Sequence, residues 1–165
     1  MKITIRLVPF AALIGGGIWL WTVLFPSPEK IVLKKIAGLA AAANFDGGAG
    51  NITRAGKASS VVKQFADDAQ IIIDLAGAGA RTLSGREEIR EAALGGFASL
   101  KTLNVQFIDP IAKVGADKQS AEVNCTAEVR VDDSKDFGVQ ELRFQLKKMD
   151  GEWFITRVET VKTLR

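Results

Sequence analysis

Histidine and tyrosine are absent from the 165 residues, and cysteine occurs once. Without histidine the chain lacks the usual proton shuttle near neutral pH, and without tyrosine it lacks a phenolic hydrogen-bond donor. The single Cys125 excludes an intrachain disulfide, and as a nucleophile its thiol would have no histidine to activate it. Concentrated basic stretches interleaved with aromatics are missing too, which leaves a nucleic-acid partner without support. The pI of 9.1 overstates the basicity: of the 22 Lys and Arg residues, Lys2 and Arg6 precede an uncharged run, leaving 20 against 19 acids. No internal repeat and no low-complexity tail is visible.

That uncharged run is what the sequence does have. Leu7 to Ser27 is 21 residues without an ionisable side chain, long enough at about 1.5 Å per residue to span a hydrocarbon core about 30 Å thick. It reads as a single transmembrane anchor. Lys2 and Arg6 would also suit the basic region of a cleaved signal peptide, but the run closes on Trp21-Thr22-Val23-Leu24-Phe25-Pro26, bulky where cleavage needs small residues. No cysteine follows for lipid attachment. Gly15-Gly16-Gly17 and Pro9 weigh against a buried helix of a water-soluble domain, and Trp19 and Trp21 suit an interfacial belt. Lys30, Lys34 and Lys35 nearly balance the charges before the run. A long domain translocates largely regardless of charge, so the expected topology is a signal anchor with the domain on the extracytoplasmic side. The expected division is residues 1–27 for the anchor and 28–165 for one globular domain.

Pro26 and Pro28 stop the run, and Val32, Ile36, Leu39 and Ala43 then recur at helical spacing. Asn44 to Gly56 reads as a loop, Ser59 to Phe65 as a short helix, and Ala69 to Leu75 as a first strand. Gly77-Ala78-Gly79 reads as a flexible connection to a helix opened by Ser84-Gly85-Arg86-Glu87, where the Ser84 hydroxyl and Glu87 can form a capping box. Ile89, Ala93, Phe97 and Leu100 supply that helix's apolar stripe. Four strands follow. The clearest alternates Ala121, Val123, Cys125, Ala127, Val129 and Val131 with polar residues, one face core and the other wet. Leu103, Val105 and Phe107 begin the strand before it; Leu142, Phe144 and Leu146 mark the one after; Trp153 to Val161 is the last. Turns fall at 115–117, 132–136 and 150–151.

Phe65-Ala66-Asp67-Asp68-Ala69, then Leu83 to Ile89, then Asp150-Gly151-Glu152-Trp153 together resemble the signposts of the nuclear transport factor 2-like superfamily, in its SnoaL-like and ketosteroid-isomerase-like branches. The resemblance covers roughly residues 29–164. It implies an α+β fold, a cone-shaped curved antiparallel sheet packed on about three helices, with a pocket between sheet and helices and frequent dimers. It does not imply catalysis, because enzymes and scaffolds share the fold.

Isomerase-like members place a carboxylate base at the position corresponding to Ile73. Here the acid stands at Asp74, and strand alternation turns it to the other face unless a bulge intervenes. Asp67 and Asp68 suit local amide hydrogen bonds better than a metal, and Gly50 to Lys57 lacks the spacing and hydroxyl residue of a phosphate loop. Asn51-Ile52-Thr53 and Asn124-Cys125-Thr126 match the glycosylation pattern, the second within a strand. No metal site and no cofactor is expected.

The last hairpin decides which residues face the pocket. A two-residue turn at Asp150-Gly151 would set Phe144 opposite Arg157 and Leu142 opposite Glu159. A three-residue loop would set Leu146 opposite Phe154, Phe144 opposite Thr156 and Leu142 opposite Val158, matching apolar with apolar. The second register is preferred. It lines the pocket with Phe107, Cys125, Phe144 and Thr156, and puts Trp153, Ile155, Arg157, Glu159 and Val161, with Arg143 and Lys147, on an outer face that a second copy could cover. The expected function is a membrane-anchored, non-catalytic domain binding a small apolar ligand or an envelope protein, and its expected partners are the membrane and a second copy paired through the outer sheet face. The alternative is a lyase or isomerase using Asp74 as base.

Overall fold

The computed structural model describes residues 26–75, 79–132, 134 and 138–161. The proposed anchor, apart from its last two residues, lies outside them. Among the described residues no helix is long and apolar enough to cross a membrane.

Helix α1 (Pro28–Ala43) opens on a Ser27 cap whose hydroxyl oxygen accepts from the Lys30 amide, with proline in its first turn, and buries Val32, Ile36 and Leu39. Helix α2 (Asn51–Val62) starts well before the expected Ser59 and buries Ala58 and Val62. The loop between the helices is correspondingly shorter, and Phe65 belongs to a strand. That strand, β1 (Phe65–Leu75), precedes β2 (Gly79–Ser84) and helix α3 (Arg86–Ser99). Strands β3 (Leu103–Val114), β4 (Ser120–Val131), β5 (Gly138–Met149) and β6 (Glu152–Thr160) complete the chain.

The strands form one sheet in the order β2-β1-β6-β5-β4-β3. It is mixed, where an antiparallel sheet was expected: β1 runs parallel to β6, so the first and last strands are neighbours within it. Strand β2 corrects the expected flexible connection. It pairs with β1 from Gln70–Ser84 to Leu75–Gly79 and forms one edge.

The expected capping box does not form. Ser84 ends β2, Gly85 with φ of 84° caps the helix, and it is Glu88 whose Oε2 accepts from the Ser84 amide at 2.6 Å. Arg86 fixes the helix start instead. Its Nε and Nη2 donate to the Phe65 carbonyl at 3.1 and 2.5 Å, and Nη1 lies 2.6 Å from the Asp67 carboxylate.

Helices α1 to α3 cover one face of the sheet. The main core joins Val32 and Ile36 to Val123, Phe144 and Ile155, with each of these at most 1% exposed. Burying one such side chain contributes about 1.5–3 kcal/mol. A second cluster gathers Phe45, Ala58, Phe97 and Leu103, where the Phe45 and Phe97 rings stand 5.2 Å apart.

The last hairpin follows neither expected register. Asp150 and Gly151, with φ of 51° and 86°, make a two-residue turn between Met149 and Glu152, both left-handed as such a hairpin turn requires. Leu146 consequently opposes Ile155. A bulge then sets Gln145 opposite Arg157 and Phe144 opposite Val158. One inserted residue, Thr156, thus lets Trp153, Ile155 and Val158 all face the core, where an unbulged ladder would have buried Arg157.

Candidate functional site

The inner face, where the superfamily resemblance implies a pocket, is occupied by the chain's own side chains. Phe107 meets Phe144 edge-on at 5.3 Å, and Cys125 and Phe144 are 7% and 1% exposed. Burial pushes the Cys125 thiol up to about 11, which leaves it protonated and unreactive at neutral pH. Thr156, expected beside these three, is turned away from them. Standing in the bulge opposite Gln145, its hydroxyl donates to the Gln145 carbonyl at 3.1 Å.

Trp153 and Ile155, expected on the outer face, are core residues at 4% and 0% exposure. The two-residue turn reverses their assignment. Arg157 and Glu159 do face outward, because the bulge restores the opposite alternation beyond it. Val161 is half-buried just past β6, its amide donating to the Glu141 carbonyl at 2.9 Å. It borders a hollow of about 230 Å³ with Asp109, Ile111, Thr126 and Glu141.

The outer face carries a connected polar network. The Arg143 guanidinium reaches Glu159 at 3.3 Å, Asn124 at 3.3 Å and Glu122 at 3.8 Å. Arg157 binds the other Glu159 oxygen at 2.9 Å and donates to Gln70 at 3.2 Å. The Asn124 amide closes the network on Glu122 at 2.9 Å. Four strands contribute, β1, β6, β5 and β4 in spatial order. These side chains are partly exposed, so each pair is worth no more than about 1 kcal/mol to the isolated fold. Ile111 and Val139 flank the network at 62% and 56% exposure. A hollow of about 450 Å³ adjoins it, bordered by Lys113, Ser120, Glu122, Gln145, Lys147 and Thr156.

Sequence reasoning placed Arg143, Arg157 and Glu159 on the outer face but did not bring Glu122, Asn124 and Gln70 to them. The polar alternation of β4 signals that Glu122 and Asn124 are wet; which neighbours they meet depends on strand order and register. Asp74 shares the outer face with Gln70 and Ile72 by alternation along β1, and its backbone amide donates to the Thr160 hydroxyl at 3.1 Å. Asp67 pairs with Arg86, and the stretch from Asn51 to Lys57 is helical. Among the described residues no group of three or more Cys, Asp or Glu side chains could hold a metal ion. Among the described residues the outer network offers salt-bridging and hydrogen-bonding groups.

No family model matches the chain, and no curated protein matches it in sequence. Solved structures do. A nuclear transport factor 2-like protein with a cystatin-like fold from Novosphingobium aromaticivorans superimposes with a TM-score of 0.63 at 17% identity, covering 97% of this chain and 90% of its own. The chain has the nuclear transport factor 2-like fold. A second such protein, of unknown function, from Pseudomonas putida KT2440 gives a TM-score of 0.65 at 10% identity over 83% of this chain and 87% of its own. Another Novosphingobium aromaticivorans protein, provisionally named a scytalone dehydratase, gives 0.58 at 12% identity over 82% and 83%. At such identities the nuclear transport factor 2-like likeness is one of fold.

Proposed function

We propose that the chain is a membrane-anchored, non-catalytic nuclear transport factor 2-like domain whose outer sheet face binds a protein partner, first of all a second copy of itself. The observation that carries this reading is the contrast between the two faces of the sheet. The inner face is filled by Phe144, Ile155 and Val123, while the outer face presents two arginines and two glutamates beside exposed Ile111 and Val139. In a two-fold dimer a patch bearing both charges is self-complementary, since each arginine can meet the other copy's glutamate. Complementary charges of this kind set register and partner choice across an interface, and the exposed apolar flanks supply area to bury.

The isomerase-type alternative requires a base facing the inner side at the level of Ile73. Asp74 is out of phase with that position by strand alternation.

Native mass spectrometry of the full chain in detergent tests the reading. The expected species is a ligand-free dimer, and Arg143→Glu weakens self-association at least about tenfold, which corresponds to about 1.4 kcal/mol. Its thermal midpoint should stay close to that of the parent chain, because the pairs it breaks are partly exposed. A monomer that retains a small apolar molecule would overturn the assignment of function to the outer face.

A further inference from the structure

The chain enters the domain at one pole of the molecule. At its C-terminal end α1 lies beside the start of β3, where Phe45 bridges Leu103 and the Asn44 side chain bonds both polar backbone groups of Val105. Its N-terminal half lies at the opposite pole, against the start of β6. There Lys35 sits 5.1 Å from the Phe154 ring, and Ile31, Lys34 and Gly38 border a hollow of about 360 Å³ with Gly151, Glu152 and Trp153. The turn between β3 and β4 is at the same pole, tied to the end of β5 by the Lys148 amide donating to the Gln119 carbonyl at 2.7 Å.

Lysine collects there. Helix α1 contributes Lys30, Lys34 and Lys35; the end of α2 contributes Lys63; the two turns contribute Lys118, Lys147 and Lys148. The acids on these same segments, the first half of α1 and the two turns, are Glu29, Asp117, Asp150 and Glu152, four against the seven lysines. From residue 7 onward the whole chain has an excess of only one, 20 basic residues against 19 acids, so the remainder is net acidic. The ion pairs Arg86–Asp67, Arg90–Glu87, Arg143–Glu122, Arg143–Glu159 and Arg157–Glu159 take no lysine of this pole, and of the seven, Lys35 is the one held against Phe154 with Glu152 as a charged neighbour. Ile31 stands among them at 42% exposure.

We propose that this lysine pole rests on a membrane surface containing acidic phospholipids, with the ammonium groups against the headgroup phosphates and Ile31 at the interface. The proposal rests on the anchor reading. The 21-residue uncharged run ends at Ser27, directly before α1, so a bilayer-embedded run would deliver this pole to the headgroups. Diffuse attraction to acidic headgroups suits lysine, a hydrated point charge, and decays within a Debye length. Lys30, Lys34 and Lys35 lie within about two helical turns of the exit point, which satisfies that range for them.

Lysine labelling of the full chain reconstituted in vesicles tests this. One preparation uses phosphatidylcholine alone and the other a phosphatidylcholine and phosphatidylglycerol mixture, each treated with a neutral, membrane-permeant acetylating ester and read by mass spectrometry. Lys34, Lys118 and Lys147 should acetylate several-fold more slowly in the acidic vesicles, with the difference lost at high salt. Lys57 and Lys101, away from the pole, should be unaffected. Equal rates in the two preparations overturn the proposal, as does a slowing that includes Lys57 and Lys101 equally. An alkaline carbonate wash separates the two levels: a chain that stays embedded yet labels equally loses the lysine pole alone, and a released chain loses the anchor as well.

Discussion

Gly151 shows how much one backbone conformation decides. With Asp150 it forms the left-handed pair that closes the last hairpin in two residues, and this turn sends Trp153 and Ile155 inward. Space around Gly151 is open, with no atom within 4 Å of an added Cβ, so any penalty for a side chain there comes from φ alone. Gly151→Ala is therefore expected to cost about 1–2 kcal/mol, measured by urea unfolding. An unchanged midpoint would mean that the turn is not held in this conformation. Thr156 is the other deciding residue. Nothing in its type marks a bulge, yet without it the partner-face assignment of Arg157 and Glu159 and the burial of Val158 could not hold together.

Among the elements, α3 depends on a tether that propensity does not provide. Its cap is Gly85 without a side-chain bond, and Gly95-Gly96 lies within it, yet it continues to Ser99. Arg86 joins its first turn to the Phe65 carbonyl and Asp67 at the start of β1. Arg86→Ala should destabilise the domain by about 2 kcal/mol, and Arg86→Lys should recover little of it, because an ammonium cannot bridge the carbonyl and the carboxylate as a guanidinium fork does. Full rescue by lysine in the same unfolding assay would reduce the tether to a simple charge effect. The strands were legible where one face is buried: β4 alternates without interruption because its inner positions are core and its outer ones wet. Strand β2 was not, since Gly79 to Thr82 are all exposed and an edge strand is held by its backbone ladder, which leaves no apolar pattern. The early start of α2 was hidden for a related reason, as its first turns place little in the core and only Ala58 and Val62 are buried. The outer network was half legible: its polar members could be assigned to a face, but Gln70 meets Arg157 only because β1 enters the sheet beside β6.

For the whole molecule, the proposed use of the outer face goes with an inner face occupied by Phe144, Ile155 and Val123. Phe144→Ala should cost about 3–5 kcal/mol and open a cavity beside Phe107. If the variant folds, benzene should raise its thermal midpoint and leave that of the parent chain unchanged. A comparable rise in the parent would reveal apolar space already available. The parallel pairing of β1 with β6 has a temporal consequence as well. A chain made from its N-terminus completes β1, β2 and helices α1 to α3 long before Trp153 to Thr160 exist, so one edge of β1 waits unpaired until those residues are made. The sheet closes with its last strand, and the loop entropy of joining the two ends of the domain makes that closure a late and slow event.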